Sequence, residues 1–119
     1  MKIQLAAIEK EGVIHLGVDG KITSEDFAES NANPLESTIG AAWGGNRVLM
    51  DMSRVNYIDS SGIGWLLRLQ RGFKEGGGAM ALYGITPSVM QIFTLLKLRS
   101  VFRIADTEAQ AREMLAQPV

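Results

Sequence analysis

The sequence predicts an α/β fold: a mixed, mostly parallel central sheet with an antiparallel amino-terminal edge strand and crossover helices. Three observations predict it. Two alternating apolar runs, Ile3-Leu5-Ala7 and Ile14-Leu16-Val18, flank the polar turn Glu9 to Gly12, which is a hairpin signature. Beyond them, short apolar runs alternate with stretches of helical periodicity, the order expected of parallel strands joined by right-handed crossovers. A length of 119 residues, 46% hydrophobic and 21% charged, excludes bulk disorder and predicts one domain, 1–119, able to bury roughly two-thirds of its unfolded surface.

The second run closes at Gly20. Ser24 is placed to cap a short helix through Glu29, and Asn33 before Pro34 to cap another. The Ala, Ser, Asn and Gly content between Thr23 and Gly45 gives little further periodicity, and Gly44 and Gly45 end the stretch. Arg47 to Met52 carries Val48, Leu49, Met50 and Met52 almost without interruption, which predicts a strand covered on both faces with Asp51 near its end. A helix follows to about Glu75, its inner stripe formed by Gly62, Leu66, Leu69 and Phe73 and its stop by Gly76 to Gly78. Ala79 to Tyr83 is a further buried strand. Thr86 and Pro87 open a helix with Val89, Ile92, Phe93 and Leu96 inside; Val101 to Ile104 is a short last strand, and Asp106 or Thr107 starts a terminal helix to about Ala116.

Composition narrows function by exclusion. A formal charge of -1 argues against a dedicated nucleic-acid or anionic-membrane binder, since both need a basic excess. With no cysteine and one histidine, disulfides, thiol chemistry and zinc sites are not expected, and no cofactor is implied. No run approaches the ~20 apolar residues of a membrane span, so a cytoplasmic, soluble chain is expected.

The candidate site is the junction Asp59-Ser60-Ser61-Gly62-Ile63-Gly64, where a strand gives way to a helix. At about 100° per residue, Ser61, Trp65 and Arg68 fall within roughly 60° of one another, away from the Leu66-Leu69-Phe73 stripe. That count predicts an exposed Ser61 beside an exposed Trp65 and Arg68, residue types favoured at protein interfaces. The plain alternative is that Asp59 or Ser60 merely caps the helix while the glycines let it pack on the sheet; capping accounts for one hydroxyl.

The segment from Val48 to Gly78, with its Asp-Met-Ser and Asp-Ser-Ser-Gly-Ile-Gly motifs, resembles the STAS domain of anti-sigma-factor antagonists. The strands and helices on either side, including GVIHLGVDGKI and ALYGITPSVMQIFTLLKLRS, are similar to that family too, so the resemblance covers nearly the whole chain. It implies a non-enzymatic protein-binding domain that is switched off by serine phosphorylation. The matching acceptor is Ser61, with Ser60 as runner-up; Asp51, Asp59 and Gly62 support the phosphosite, and Ser60, Gly62, Gly64, Trp65 and Arg68 face the partner. Implied partners are an anti-sigma factor that is also a serine kinase of the GHKL ATPase type, and a matching phosphatase. The domain is expected to be a monomer or weak dimer that binds neither nucleic acid nor membrane.

Two departures bear on partner identity: Lys21, Ile22 and Thr23 stand where the family has an aspartate after an aliphatic residue, and the stretch before Arg47 is unusually rich in Gly, Ala and Asn. Two other readings compete. In one, the domain is a non-switching scaffold of a stress-signalling or transporter-associated assembly. In the other, Ser61 is a nucleophile; it lacks the Gly-x-Ser-x-Gly elbow, and the lone base, His15, lies on a hairpin strand.

Overall fold

The computed structural model describes residues 1–9, 12–27 and 33–116. Five strands form one sheet in chain order: β1 (Lys2–Ile8), β2 (Val13–Ile22), β3 (Arg47–Ile58), β4 (Ala79–Tyr83) and β5 (Arg103–Ala105). β1 runs antiparallel to β2 and every other pairing is parallel, as the sequence predicts. The hairpin closes through Glu9 and Gly12, with the Gly12 N–H on the Glu9 carbonyl at 2.9 Å; the turn's Lys10 and Glu11 lie outside the described residues.

Among the described residues the α-helices are α1 (Pro34–Ile39), α2 (Ser60–Gly76), α3 (Pro87–Leu95) and α4 (Glu108–Ala116). They divide between the two faces of the sheet. On one face Trp65, Leu66, Leu69 and Phe73 of α2, Val89 and Phe93 of α3 and Leu35 of α1 pack on Leu16, Val18, Val48 and Met50. On the other, Ala111 and Leu115 of α4 meet Val13, Leu49, Ala79, Ala81 and Ala105. Strand alternation produces this division: Val48 and Met50 point one way and Leu49 the other.

Several boundaries differ from the sequence reading. β3 does not stop at Met52 but continues to Ile58, because the ten-residue β2 offers it a pairing edge well past the end of β4. Asp51 is therefore mid-strand. The helix expected from Ser24 is a single 3-10 turn, Ser24–Phe27, among the described residues, and the continuation to Glu29 lies outside them. Asn33 does cap α1, accepting from the Leu35 N–H at 2.9 Å with Pro34 in the first turn. Thr86 precedes α3 without capping it; its hydroxyl donates instead to the Val55 carbonyl. Leu96 is no part of the inner face, since α3 ends at Leu95 and Leu96 is left exposed. The last strand is shifted from Val101–Ile104 to Arg103–Ala105.

The glycines that end α2 have a packing role as well. A short 3-10 turn, Trp43–Gly45, lies on the back of the helix, with the Trp43 ring edge-on to Phe73 at 5.1 Å. The two backbones approach so closely that a Cβ on Gly44 would lie 2.6 Å from the Gly72 carbonyl oxygen, whereas one on Gly45 would find Gly76 at an ordinary 3.7 Å. Gly44→Ala is accordingly expected to cost about 1–3 kcal/mol and Gly45→Ala less than ~0.5 kcal/mol. Denaturant midpoints of the two variants, measured side by side, check the difference.

Candidate functional site

The start of α2 is organised by one side chain. Asp59 leaves β3 in an extended conformation and takes the N-cap position, its Oδ1 accepting the Gly62 N–H at 3.0 Å. Its Oδ2 accepts the Ser24 N–H at 2.9 Å, and its own N–H donates to the Ile22 carbonyl at 3.1 Å. One residue thus ties the end of β2, the turn after it and the first turn of α2 together. These hydrogen bonds, from Gly62 first and then Ser24, hold the Asp59 carboxyl below the usual aspartate range.

Gly62 is buried against that junction. A Cβ there would come within 2.6 Å of Ile58 Cγ1 and 2.8 Å of the Ile22 carbonyl oxygen, so the glycine lets the helix start lie directly on the ends of β2 and β3. It is a buried, close-packing residue, behind the exposed side of the helix. Gly64 is different: it is half-buried, and the nearest atom to an added Cβ is the Arg68 guanidinium at 3.7 Å.

Of the serine pair, Ser60 is the exposed member and Ser61 is half-buried, the reverse of the emphasis that the residue count suggests. Neither hydroxyl has a hydrogen-bond partner among the described residues. Both stand in the first turn of α2, where free N–H groups and the helix dipole favour negative charge.

Two expected site residues are corrected. Trp65 is not an exposed anchor: it is 1% exposed, its Nε1–H donates to Asn33 Oδ1 at 2.9 Å and its ring lies 5.9 Å from Phe27. On the helix it stands about 40° from Ser61 but also about 40° from the buried Leu69, and the poorly patterned segment between β2 and α1 supplies the cover. Asp51 is not beside the serines either. It pairs in register with Gly17 and Tyr83 on the α4 face, where its Oδ1 accepts the Ser53 N–H at 2.8 Å.

The residues that do share the exposed side with Ser60 are Gly64, Leu67, Arg68 and Arg71. Leu67 is 37% exposed, and neither arginine pairs with a carboxylate among the described residues. Leu67 and Arg71 were missing from the expected set, although 100° steps from Ser60, in place of Trp65, place both within about 20° of it. Beside this strip an open groove of about 650 Å³ is lined by Lys21, Ser24, Glu25, Asp26, Tyr57 and Asp59. Glu25 brings negative charge near the place where Thr23 lacks it, while the Asp26 carboxylate is paired with the Met1 ammonium at 2.7 Å.

His15 is on the opposite face of the sheet, its Nε2 2.6 Å from the Tyr83 hydroxyl. Burial, followed by the Asp51 and Glu108 carboxylates, pushes the Tyr83 phenol up to about 12. A serine nucleophile on α2 is therefore separated by the sheet from the only histidine in the chain.

The STAS domain profile matches residues 4–111, and the chain belongs to the STAS domain family. It is 26% identical over 113 residues to BtrV of Bordetella bronchiseptica, a protein provisionally named an anti-sigma factor antagonist, covering 93% of this chain and 91% of that one. Its fold is that of an anti-sigma-factor antagonist (STAS) domain protein from Planctomyces limnophilus, with a TM-score of 0.75 at 20% identity, covering 97% of this chain and 98% of that one. It is similar also to the Bacillus cell fate determinant SpoIIAA in its phosphorylated form, with a TM-score of 0.62 at 22% identity over 95% of this chain and 98% of that one. No described helix is long and apolar enough to cross a membrane.

The Asp59 hydrogen bonds give a pH dependence with a definite sign. A carboxyl whose folded pKa is depressed below its ordinary 3.8 stabilises the fold above that value and loses the contribution as pH falls through the lowered one. Asp59→Asn should therefore melt below wild type at neutral pH, and the two melting temperatures should converge as the pH is taken below the ordinary aspartate range. Thermal melts across that range read it directly.

Proposed function

We propose that this chain is an anti-sigma-factor antagonist that binds an anti-sigma partner through the start of α2 and is released when Ser61 is phosphorylated. The main support is the pair of serine hydroxyls without partners among the described residues, on a rigidly held helix start, in a STAS domain whose relatives are named as antagonists. That one similar structure is of a phosphorylated protein supports the switch. Ser61 is the acceptor by its match to the family motif, and the more exposed Ser60 is the alternative. The partner-facing strip is Ser60, Gly64, Leu67, Arg68 and Arg71, with Trp65 and Gly62 behind it as packing and Asp59 as the residue that holds the acceptor in place. The partner is a serine kinase of the GHKL ATPase type that doubles as the anti-sigma factor, a phosphatase resets the site, and the exchange takes place in the cytoplasm.

The physics of release is local. A phosphoserine brings about -1.5 to -2 charges to the first turn of α2. The helix dipole and free N–H groups accept that charge, the exposed Arg68 and Arg71 counter it, and the fold tolerates the neighbouring Asp59. A partner seated over the strip must bury the same dianion, at a cost of several kcal/mol, with every 1.4 kcal/mol a factor of ten in affinity.

Ser61→Asp should fold with an unchanged melting temperature yet bind the kinase at least ~100-fold more weakly. Ser61→Ala should bind normally and accept no phosphate. Peptide mass spectrometry after incubation with the cognate kinase and ATP locates the modification; phosphate confined to positions outside 59–61 would refute the assignment. Binding that ignores Ser61→Asp would favour the scaffold reading.

A further inference from the structure

The part of the sheet that α4 leaves uncovered carries a second concavity, on the face away from Ser61. It has a volume of about 240 Å³, and its lining includes Leu5, Ala6, Gly17, Asp19, Asp51 and Arg54. Gly17 is what keeps it open. The residue lies inside β2, its φ is not in the left-handed region, and an added Cβ would meet nothing within 4 Å. The β2–β3 register shifts just after it, between Gly17 and Asp19, but that irregularity does not place Gly17 in the left-handed region and no packing contact excludes a side chain; glycine inside a strand weakens it while letting a guest approach the backbone.

Asp51 supplies the charge. It stands in register with Gly17, half-buried, with one oxygen on the Ser53 N–H, and among the described residues no cation pairs with it. The Arg54 guanidinium contacts Asp19 instead, at 4.0 Å, both side chains being exposed. A partly desolvated carboxylate without a counter-ion favours an incoming cation, and Leu5, 46% exposed, adds apolar surface to the same lining.

We propose that this concavity binds a compact organic monocation, an ammonium, amidinium or guanidinium group on Asp51 with its carbon skeleton over Gly17 and against Leu5. Two carboxylates and one guanidinium in the lining suit a single positive charge and disfavour an anion. The volume lies below that of a drug-sized pocket, which limits the guest to a small amine or to one side chain. The same chemistry is offered by a free amine and by an arginine or lysine of a partner protein.

Amide chemical shifts of the full chain, titrated with benzamidine, with its neutral isostere benzamide and with a doubly blocked arginine, test the site. Benzamidine is expected to give saturable shifts at Gly17 and Asp51 with millimolar affinity, and benzamide none. Gly17→Val should retain the fold while filling the floor, and should weaken benzamidine at least ~10-fold. Asp51→Asn, which keeps the acceptor for Ser53, should do the same. Blocked arginine binding more tightly than benzamidine identifies a partner's side chain as the source, and weaker binding identifies a free amine. Equal shifts with benzamide, no shifts with either cation at about 10 mM, or full affinity in a folded Gly17→Val would overturn the proposal. None of these readings involves the serines, so the site stands or falls apart from the switch.

Discussion

Everything at the start of α2 hangs on the two oxygens of Asp59. One closes the first turn of α2, the other fixes the turn that follows β2, and the residue's own N–H completes the join to Ile22. A helix start is otherwise a row of unsatisfied donors that water or a ligand must meet. Here the cap is fastened to the sheet, so the serines after it are held in position by a neighbour and not by bonds of their own. Gly62 allows the arrangement, since any side chain there would meet Ile58 and Ile22 before the helix could reach the cap.

The fold was legible where period and punctuation agree. The hairpin, the Leu66-Leu69-Phe73 stripe, the Asn33-Pro34 start and the glycine stop after α2 each combine a hydrophobic period with a residue whose backbone or side chain suits only one kind of boundary. The extension of β3 was not legible, because Ser53, Arg54, Asn56 and Tyr57 are outward-facing and the strand there depends on the length of β2, a property of another segment. Trp65 misled for a similar reason. Its helical position lies between the buried and exposed arcs, and what decides its burial is Asn33 and Phe27, contributed by a stretch whose small and polar residues carry no period.

The site was legible in its motif and less so in its neighbours. Asp59 could be recognised as a cap from its place before the helix, and the serine pair from the family pattern. Asp51 carries an equally strong sequence signal but belongs to the opposite face, because a mid-strand residue is directed by alternation, whatever motif follows it. The two faces of the sheet therefore hold different chemistry: a helix start with accessible hydroxyls on one, and on the other a polar row of His15, Tyr83, Glu108 and Asp51 beside a groove opened by Gly17. With a formal charge of only -1 over 119 residues, the phosphate proposed for the first face would be a large local change against a balanced surface.

The central claim is that phosphate acts by charge on a preformed helix start and not by undoing it. Amide hydrogen exchange at Ser24 and Gly62, the two N–H groups held by Asp59, separates these directly when measured on the protein before and after phosphorylation. Unchanged protection at both, together with loss of the partner, is the result this account predicts. A collapse of protection at Gly62 and Ser24 on phosphorylation would contradict it, because release would then come from unfolding of the site.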